Sequence, residues 1–253
     1  LKMYAMLSNT NRYMLHYELN KNLMDGIEFH IRDNYEKYKK ITYLVLYYNF
    51  YMLAKTGNEK HYHDLFELIK NKNDELDHAD KQDLYTILAN FCYTKINKGE
   101  MDFIKQQFYL NKQKIETKFY RPESGYISHI LFINVVITGL EAGEELWVRE
   151  FIEKYKPELD PVNRENTYIF CNSFYNYWIK DYSKSLDLAQ RVKTDDLSYK
   201  HQLRSLYLKI YFDLNEAETF YSHIDSYKHF ISSSSNVSEH LRETINNYIN
   251  FAK

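Results

Sequence analysis

A chain of 253 residues with 44% apolar and 27% charged side chains has a globular composition, and at this length folding buries roughly 70 to 75% of the unfolded surface. Its formal net charge of −2 supplies no long-range attraction to phosphate backbones or anionic lipid, which removes the simplest support for general nucleic-acid or membrane binding. Two cysteines give no disulfide framework and no Cys-based metal signature, and no apolar run reaches the ~18 residues of a membrane span.

Apolar residues recur at three and four positions along nearly the whole chain, and sustained alternation is missing, so the pattern predicts an all-α protein. Six Gly and three Pro leave few tight turns, which points to long helices on short links. The predicted helices span 1–19, 24–39, 41–55, 60–72, 80–97, 101–118, 126–142, 144–155, 162–179, 182–193, 198–213, 216–231 and 237–252. They pair into six hairpins and a last helix.

The first apolar stretch of note, "ITYLVLYYNFYMLA" (41–54), reads as a buried helix. In "EKHYHDLFE" (59–67), His61, His63, Asp64 and Glu67 are close in sequence, but residues two apart point about 200° around a helix axis. His63 with Glu67 is only two ligands, so a helix start with solvated polar residues is expected instead of a metal centre. "NDELDHADKQD" (73–83) reads as a polar link ending in an N-cap Asp80. Lys95, Lys98, Lys105, Lys112, Lys114, Lys118 and Arg121 outnumber the acids of residues 95–121, and the expectation is that they line the solvated faces of a helix pair. Cys92 and Cys171 each lie in an apolar helical segment as small core residues.

Gly57, Gly99 and Gly143 each separate two apolar stretches, where a left-handed C-terminal cap wants glycine. Pro157 and Pro161 flank the link "KYKPELDPVNRE", with Pro161 in the first turn of the next helix. Asn215 with Glu218 reads as a capping box and Ser238 as an N-cap. "SHIDSYKHF" (222–230) holds Ser222, His223 and Asp225, yet one amphipathic helix rarely supplies the bonded chain of a triad, and a solvated face is expected. "SSSS" (232–235) reads as a flexible link, and 237–253 as a capping helix with Leu241, Ile245 and Ile249 inward.

The internal turns near Gly99, Gly143, Lys180 and Asn215 are 44, 37 and 35 residues apart, close to the 34 of a tetratricopeptide unit. One hairpin cannot bury its apolar face alone, so neighbours of similar length must stack. Residues 1–253 are therefore read as a single domain, a right-handed α-solenoid of degenerate tetratricopeptide-like hairpins with a capping helix.

"DLYTILANFCYTKINKGE", "LWVREFIEKYKPEL", "RENTYIFCNSFYNYWIKDYSKSLDLAQRV", "YLKIYFDL" and "NYINFAK" resemble a family of uncharacterised tetratricopeptide-like helical-repeat proteins from Bacteroidetes-type bacteria, over roughly residues 41–253. The resemblance implies a right-handed helical solenoid that holds proteins or peptides, with no assigned reaction and no catalytic residues. Ser173 and Ser185 match small positions that let two helices approach, and Tyr182 matches the turn aromatic. Asn172 and Asn176 depart from the usual apolar positions, and Phe220 fills a small one.

Aligning the copies puts Ala89, Tyr93, Ile133, Ile137, Phe170, Phe174, Ser205 and Lys209 along a concave wall, with Tyr177 and Arg204 nearby. Tyr93, Ile137, Phe170, Phe174, Tyr177, Arg204 and Lys209 are the candidate binding residues. An apolar, aromatic groove with a cation at one end suits an extended peptide or a helix with an acidic terminus. The expectation is a non-enzymatic, cytoplasmic scaffold without cofactor or metal. An RNA-binding helical repeat and the sensor domain of a peptide-responsive regulator are the alternatives, the latter a bundle that accompanies a DNA-binding head, although residues 1–40 show no basic helix-turn-helix and a trimmed N-terminus would be needed to explain its absence.

Overall fold

The computed structural model describes residues 21–120, 125–194 and 197–233, together with Arg242 and Asn247. The helices expected at 1–19 and 237–252, and the N-cap at Ser238, lie outside the described residues. Among the described residues the secondary structure is helical, with no strand. In order these are α1 (Lys21–Asp33), α2 (Tyr35–Tyr38), α3 (Thr42–Thr56), α4 (Glu59–Lys72), α5 (His78–Ile96), α6 (Phe103–Glu116), α7 (His129–Glu141), α8 (Glu145–Tyr155), α9 (Arg164–Trp178), α10 (Tyr182–Arg191), α11 (Leu197–Asp213) and α12 (Ala217–Ser233). No described helix is long and apolar enough to cross a membrane.

By internal packing the chain divides into two units, Leu1–Glu144 and Glu145–Lys253. In the first, α3 packs on α4, α4 on α5, α5 on α6 and α6 on α7, so helices adjacent in sequence are adjacent in space. Its core joins Leu46 and Phe50 of α3, Tyr62 and Leu65 of α4, Leu84, Leu88 and Cys92 of α5, and Phe103 and Leu110 of α6. The Tyr62 ring stacks on Phe91 at 4.9 Å and its hydroxyl donates to Gln106 Oε1 at 2.7 Å. This aromatic is apolar in body and polar at the tip, and both ends find partners. "ITYLVLYYNFYMLA" is the buried α3 that the sequence suggests, with Leu46, Tyr48, Phe50, Tyr51 and Leu53 inside.

In the second unit α9 packs against α8, α10 and α11, and α11 against α12. The α9–α10 pair closes on two serines, both fully buried, and Ser185 Oγ donates to the Ser173 carbonyl at 2.7 Å. Only a small side chain allows a backbone so near. Asn176, unexpected on an inner face, spends its amide on the Asn172 carbonyl at 2.7 Å, and Asn172 bonds that of Tyr168 at 3.0 Å. Polar groups satisfied along their own helix can be buried at modest cost. Leu208, Phe220, Ile224, Tyr227 and Ile231 form the core of the α11–α12 pair.

Five turns share one hydrogen-bond pattern, the fifth at Lys118 between α6 and α7, where φ is 58°, Phe119 N–H reaches the Lys114 carbonyl at 3.0 Å and Lys118 N–H that of Ile115 at 3.1 Å. Gly99, Gly143, Lys180 and Asn215 all have positive φ, at 88°, 81°, 65° and 57°. At each, the next residue's N–H reaches a carbonyl five back (Glu100 to Lys95, Glu144 to Gly139, Asp181 to Asn176, Glu216 to Tyr211) at 2.9–3.1 Å. The turn residue's own N–H reaches three back, as a Schellman motif requires. Gly99, Gly143, Lys180 and Asn215 are the turns that mark the 44-, 37- and 35-residue intervals in the sequence.

Several local expectations are corrected. Asn215 is the left-handed C-terminal residue of α11, not half of a capping box, because it already occupies the Schellman position. Asp77, not Asp80, caps α5, accepting from Asp80 N at 2.7 Å, while the buried Asp80 carboxylate accepts from Tyr47 OH at 2.7 Å. The helix expected at 24–39 breaks at Asn34, whose side chain donates to the His30 carbonyl at 2.9 Å and competes with the backbone. α9 starts at Arg164 and not at Pro161, since Asp160 draws Val162 and Asn163 into a turn and Arg164 donates to the Pro157 and Leu159 carbonyls, each at 3.0 Å. Ser232 and Ser233 continue α12, so the serine run begins as helix.

Candidate functional site

The seven candidate binding residues divide between the units. Tyr93 (α5, 58% exposed) and Ile137 (α7, half-buried) belong to the first. In the second, Phe170 is fully buried, its ring 4.9 Å from Phe174 and 4.6 Å from Tyr199. It is core and offers no wall surface, whereas Phe174 is half-buried. Tyr177 donates to Asp213 Oδ2 at 3.0 Å, and Tyr182 reaches the same oxygen at 3.3 Å, which ties the end of α9 to the end of α11. Arg204 is turned onto α12, donating to Ser226 Oγ at 3.2 Å and lying 4.6 Å over the Phe230 ring. Lys209 is exposed. The structure thus brings together Phe170 with Phe174, and directs Tyr177 and Arg204 to separate neighbours.

The turn ends of the second unit carry apolar surface that the alignment of copies did not single out. Trp178, Ile179, Phe212, Leu214 and Tyr221 are exposed there, Phe212 by 66%. Trp178 donates its indole N–H to Glu145 at 3.1 Å. The first unit adds an apolar groove of about 590 Å³ lined by Gly26, Ile27, His30, Ile31, Tyr38, Ile41 and Leu44, within the usual range of ligand pockets. His30 and Tyr38 are bonded at 2.9 Å in it. Its residues straddle the break at Asn34, where the sequence reads as one uninterrupted helix.

The histidine, cysteine and lysine clusters resolve into structural roles. His61 is buried, not solvated, and its Nδ1 meets Asn49 Oδ1 at 2.7 Å, while His63 faces solvent. Burial lowers the His61 pKa. Among the described residues no group of three His, Cys, Asp or Glu side chains converges on a metal-sized space. His223 packs on the rings of Tyr207 and Tyr211, 5.4 and 4.9 Å away, and Asp225 faces Lys228 at 3.6 Å. Burial pushes the Cys92 thiol up to about 11 and Cys171 well above its ordinary value, which suits inert core thiols.

The lysines of 95–118 do not form one solvated face. Lys95 is clamped by Glu59 and Glu100 and lies over the rings of Phe91 and Phe103. Lys112 lies 3.9 Å from Glu116. Lys114 is drawn between α5 and α6, where Nζ donates to Thr86 Oγ1 at 2.9 Å. Burial lowers its ammonium to about 8, against the opposing pull of Asp83. No periodicity in the sequence marks Lys114 off from its neighbours, since i,i+3 and i,i+4 spacing places it beside both Asn111 and the apolar face. No family model matches the chain, and neither a curated protein nor a solved structure matches it.

Proposed function

We propose that this chain is a non-catalytic, cytoplasmic scaffold that binds a protein or peptide on stacked, tetratricopeptide-like helical hairpins arranged as a right-handed solenoid. The observation that carries the reading is the recurrence of one Schellman turn inside successive hairpins, at Gly99, Gly143, Lys180 and Asn215, with a further copy at Lys118 in the link between α6 and α7. Similar turns inside successive hairpins are what a series of such hairpins needs in order to stack. The packing of α9 on both its own partner α10 and the next hairpin's α11 supports the same reading within the second unit.

Tyr93 and Ile137 in the first unit, and Phe174, Tyr177 and Lys209 in the second, are the proposed contact residues. Aromatic and aliphatic anchors of this kind carry most of the energy in peptide grooves. The RNA alternative loses support from the engagement of Lys95 and Lys112 with carboxylates and the turning of the half-buried Lys114 onto Thr86.

The test is affinity capture from the source organism with the wild-type chain, Tyr93→Glu, Ile137→Glu and a distant surface control, Lys70→Glu. A partner retained by wild type and control but lost by either glutamate variant supports the scaffold. A chain that retains nothing above background while the pure protein turns over small molecules sinks it.

A further inference from the structure

We propose that Lys114 is a covalent acylation site, a nucleophilic amine in the seam between α5 and α6 that takes an acyl group from a small activated donor. The surroundings of the amine carry the idea. Nζ makes one hydrogen bond, to Thr86 Oγ1, and Thr86 has committed its own proton to the Gln82 carbonyl at 2.8 Å. The threonine hydroxyl can therefore only accept, so the lysine is held through an N–H. In the neutral amine the lone pair stays unshared and free to attack.

Lys114 enters no ion pair among the described residues, in contrast to Lys95 at the other end of the same seam, which two carboxylates hold. Asp83 is the charged group that faces it from α5, and it acts at longer range than a bond. The buried residues of α7, packed on the same α6, carry no charge: Phe132, Ile133, Val135, Val136 and Leu140 are apolar, and Thr138 donates its hydroxyl to the Asn134 carbonyl. Desolvation gives the amine a far larger neutral fraction near neutral pH than an exposed lysine has, although the ammonium still predominates there.

A second observation comes from one turn back on α6. Asn111 is only 4% exposed and its Nδ2 has no acceptor. Residues three apart share a helix face, so an amide carbonyl built on Nζ introduces an acceptor on the face that holds this orphan donor. Acylation also removes a charge that the seam disfavours.

In the step itself the nitrogen lone pair attacks the acyl carbon of an acyl phosphate or small thioester, forming a C–N bond. The bond to phosphate or thiolate breaks, and that group departs with its electron pair. The amine proton passes to the leaving group or water, and no oxidation state changes.

The experiment incubates the whole chain with acetyl phosphate, and separately with S-acetyl-N-acetylcysteamine, from pH 7 to 10 and reads each lysine by peptide mass spectrometry. Near pH 7.5 Lys114 is expected to react on the order of tenfold faster than exposed Lys70 and Lys209, because a larger neutral fraction outweighs the weaker nucleophilicity of a less basic amine. Its rate should level off above about pH 9 while theirs keeps rising. Thr86→Val removes the acceptor that favours the ammonium and leaves the burial in place, so its rate should level off at a pH no higher than in the wild type. Preference with either donor supports the site and identifies the acyl source. A Lys114 rate at or below the reference lysines with both donors, or one that climbs to pH 10 without levelling, overturns it, and the wild-type profile decides this even if Thr86→Val does not fold.

Discussion

Replacing Lys114 by methionine keeps an unbranched stem and deletes the charge, and the variant is expected to be more stable than the wild type. Burial takes the ammonium from its ordinary 10.5 to about 8. At about 1.4 kcal/mol per tenfold, keeping the proton in the folded state costs about 3 kcal/mol at neutral pH. Partial exposure of the side chain screens part of this, and the Thr86 oxygen loses a donor, so a net gain of about 2 kcal/mol is the working figure. The sign with pH follows from proton counting. Below about pH 8 both the folded and unfolded lysine are protonated and the penalty is constant. Between about 8 and 10.5 the unfolded chain holds more protons than the folded one, so wild-type stability climbs toward that of the variant. Urea denaturation of both proteins at pH 7, 8, 9 and 10 measures the difference directly, with contributions from other groups cancelling. A methionine variant less stable than wild type at pH 7, or a gap that does not narrow with rising pH, refutes the placement of this amine in the seam.

Three further outcomes are expected. Ser185→Leu forces bulk between α9 and α10 where Ser185 Oγ touches the Ser173 carbonyl, and should cost 3 kcal/mol or more in denaturant titration, against about 1 kcal/mol for Ser185→Ala. Lys180→Gly relieves a non-glycine residue at φ 65° and should raise stability by about 0.5 to 1 kcal/mol, with a smaller gain for Asn215→Gly because Asn tolerates that conformation; a loss in both would show that the turn residue is held for another reason. The pKa values of His61, His201 and His223 are all lowered by burial, so the unfolded state takes up protons first as pH falls below about 6.5, and stability should drop there. His61→Gln should flatten that decline, as read from thermal midpoints between pH 7 and 5.

The helices and their punctuation were legible in the chain because both are local. A 3.6-residue apolar period and a glycine after it specify where a helix runs and stops, and Gly57, Gly99 and Gly143 stand at left-handed ends as their placement suggests. The close approach of α9 and α10 was legible in Ser173 and Ser185 for the same reason, since a small side chain states how near a neighbour can come. What only tertiary structure decided was the fate of side chains with both an apolar stem and a polar tip. His61 and His63 stand two apart in one polar stretch, yet His61 is sealed against Asn49 of α3 and His63 faces water, because burial depends on what a neighbouring helix brings to that face. Lys114 is drawn inward among lysines of the same spacing because Thr86, 28 residues away in sequence, presents an oxygen to it, and such a partnership is set by how α5 and α6 pack.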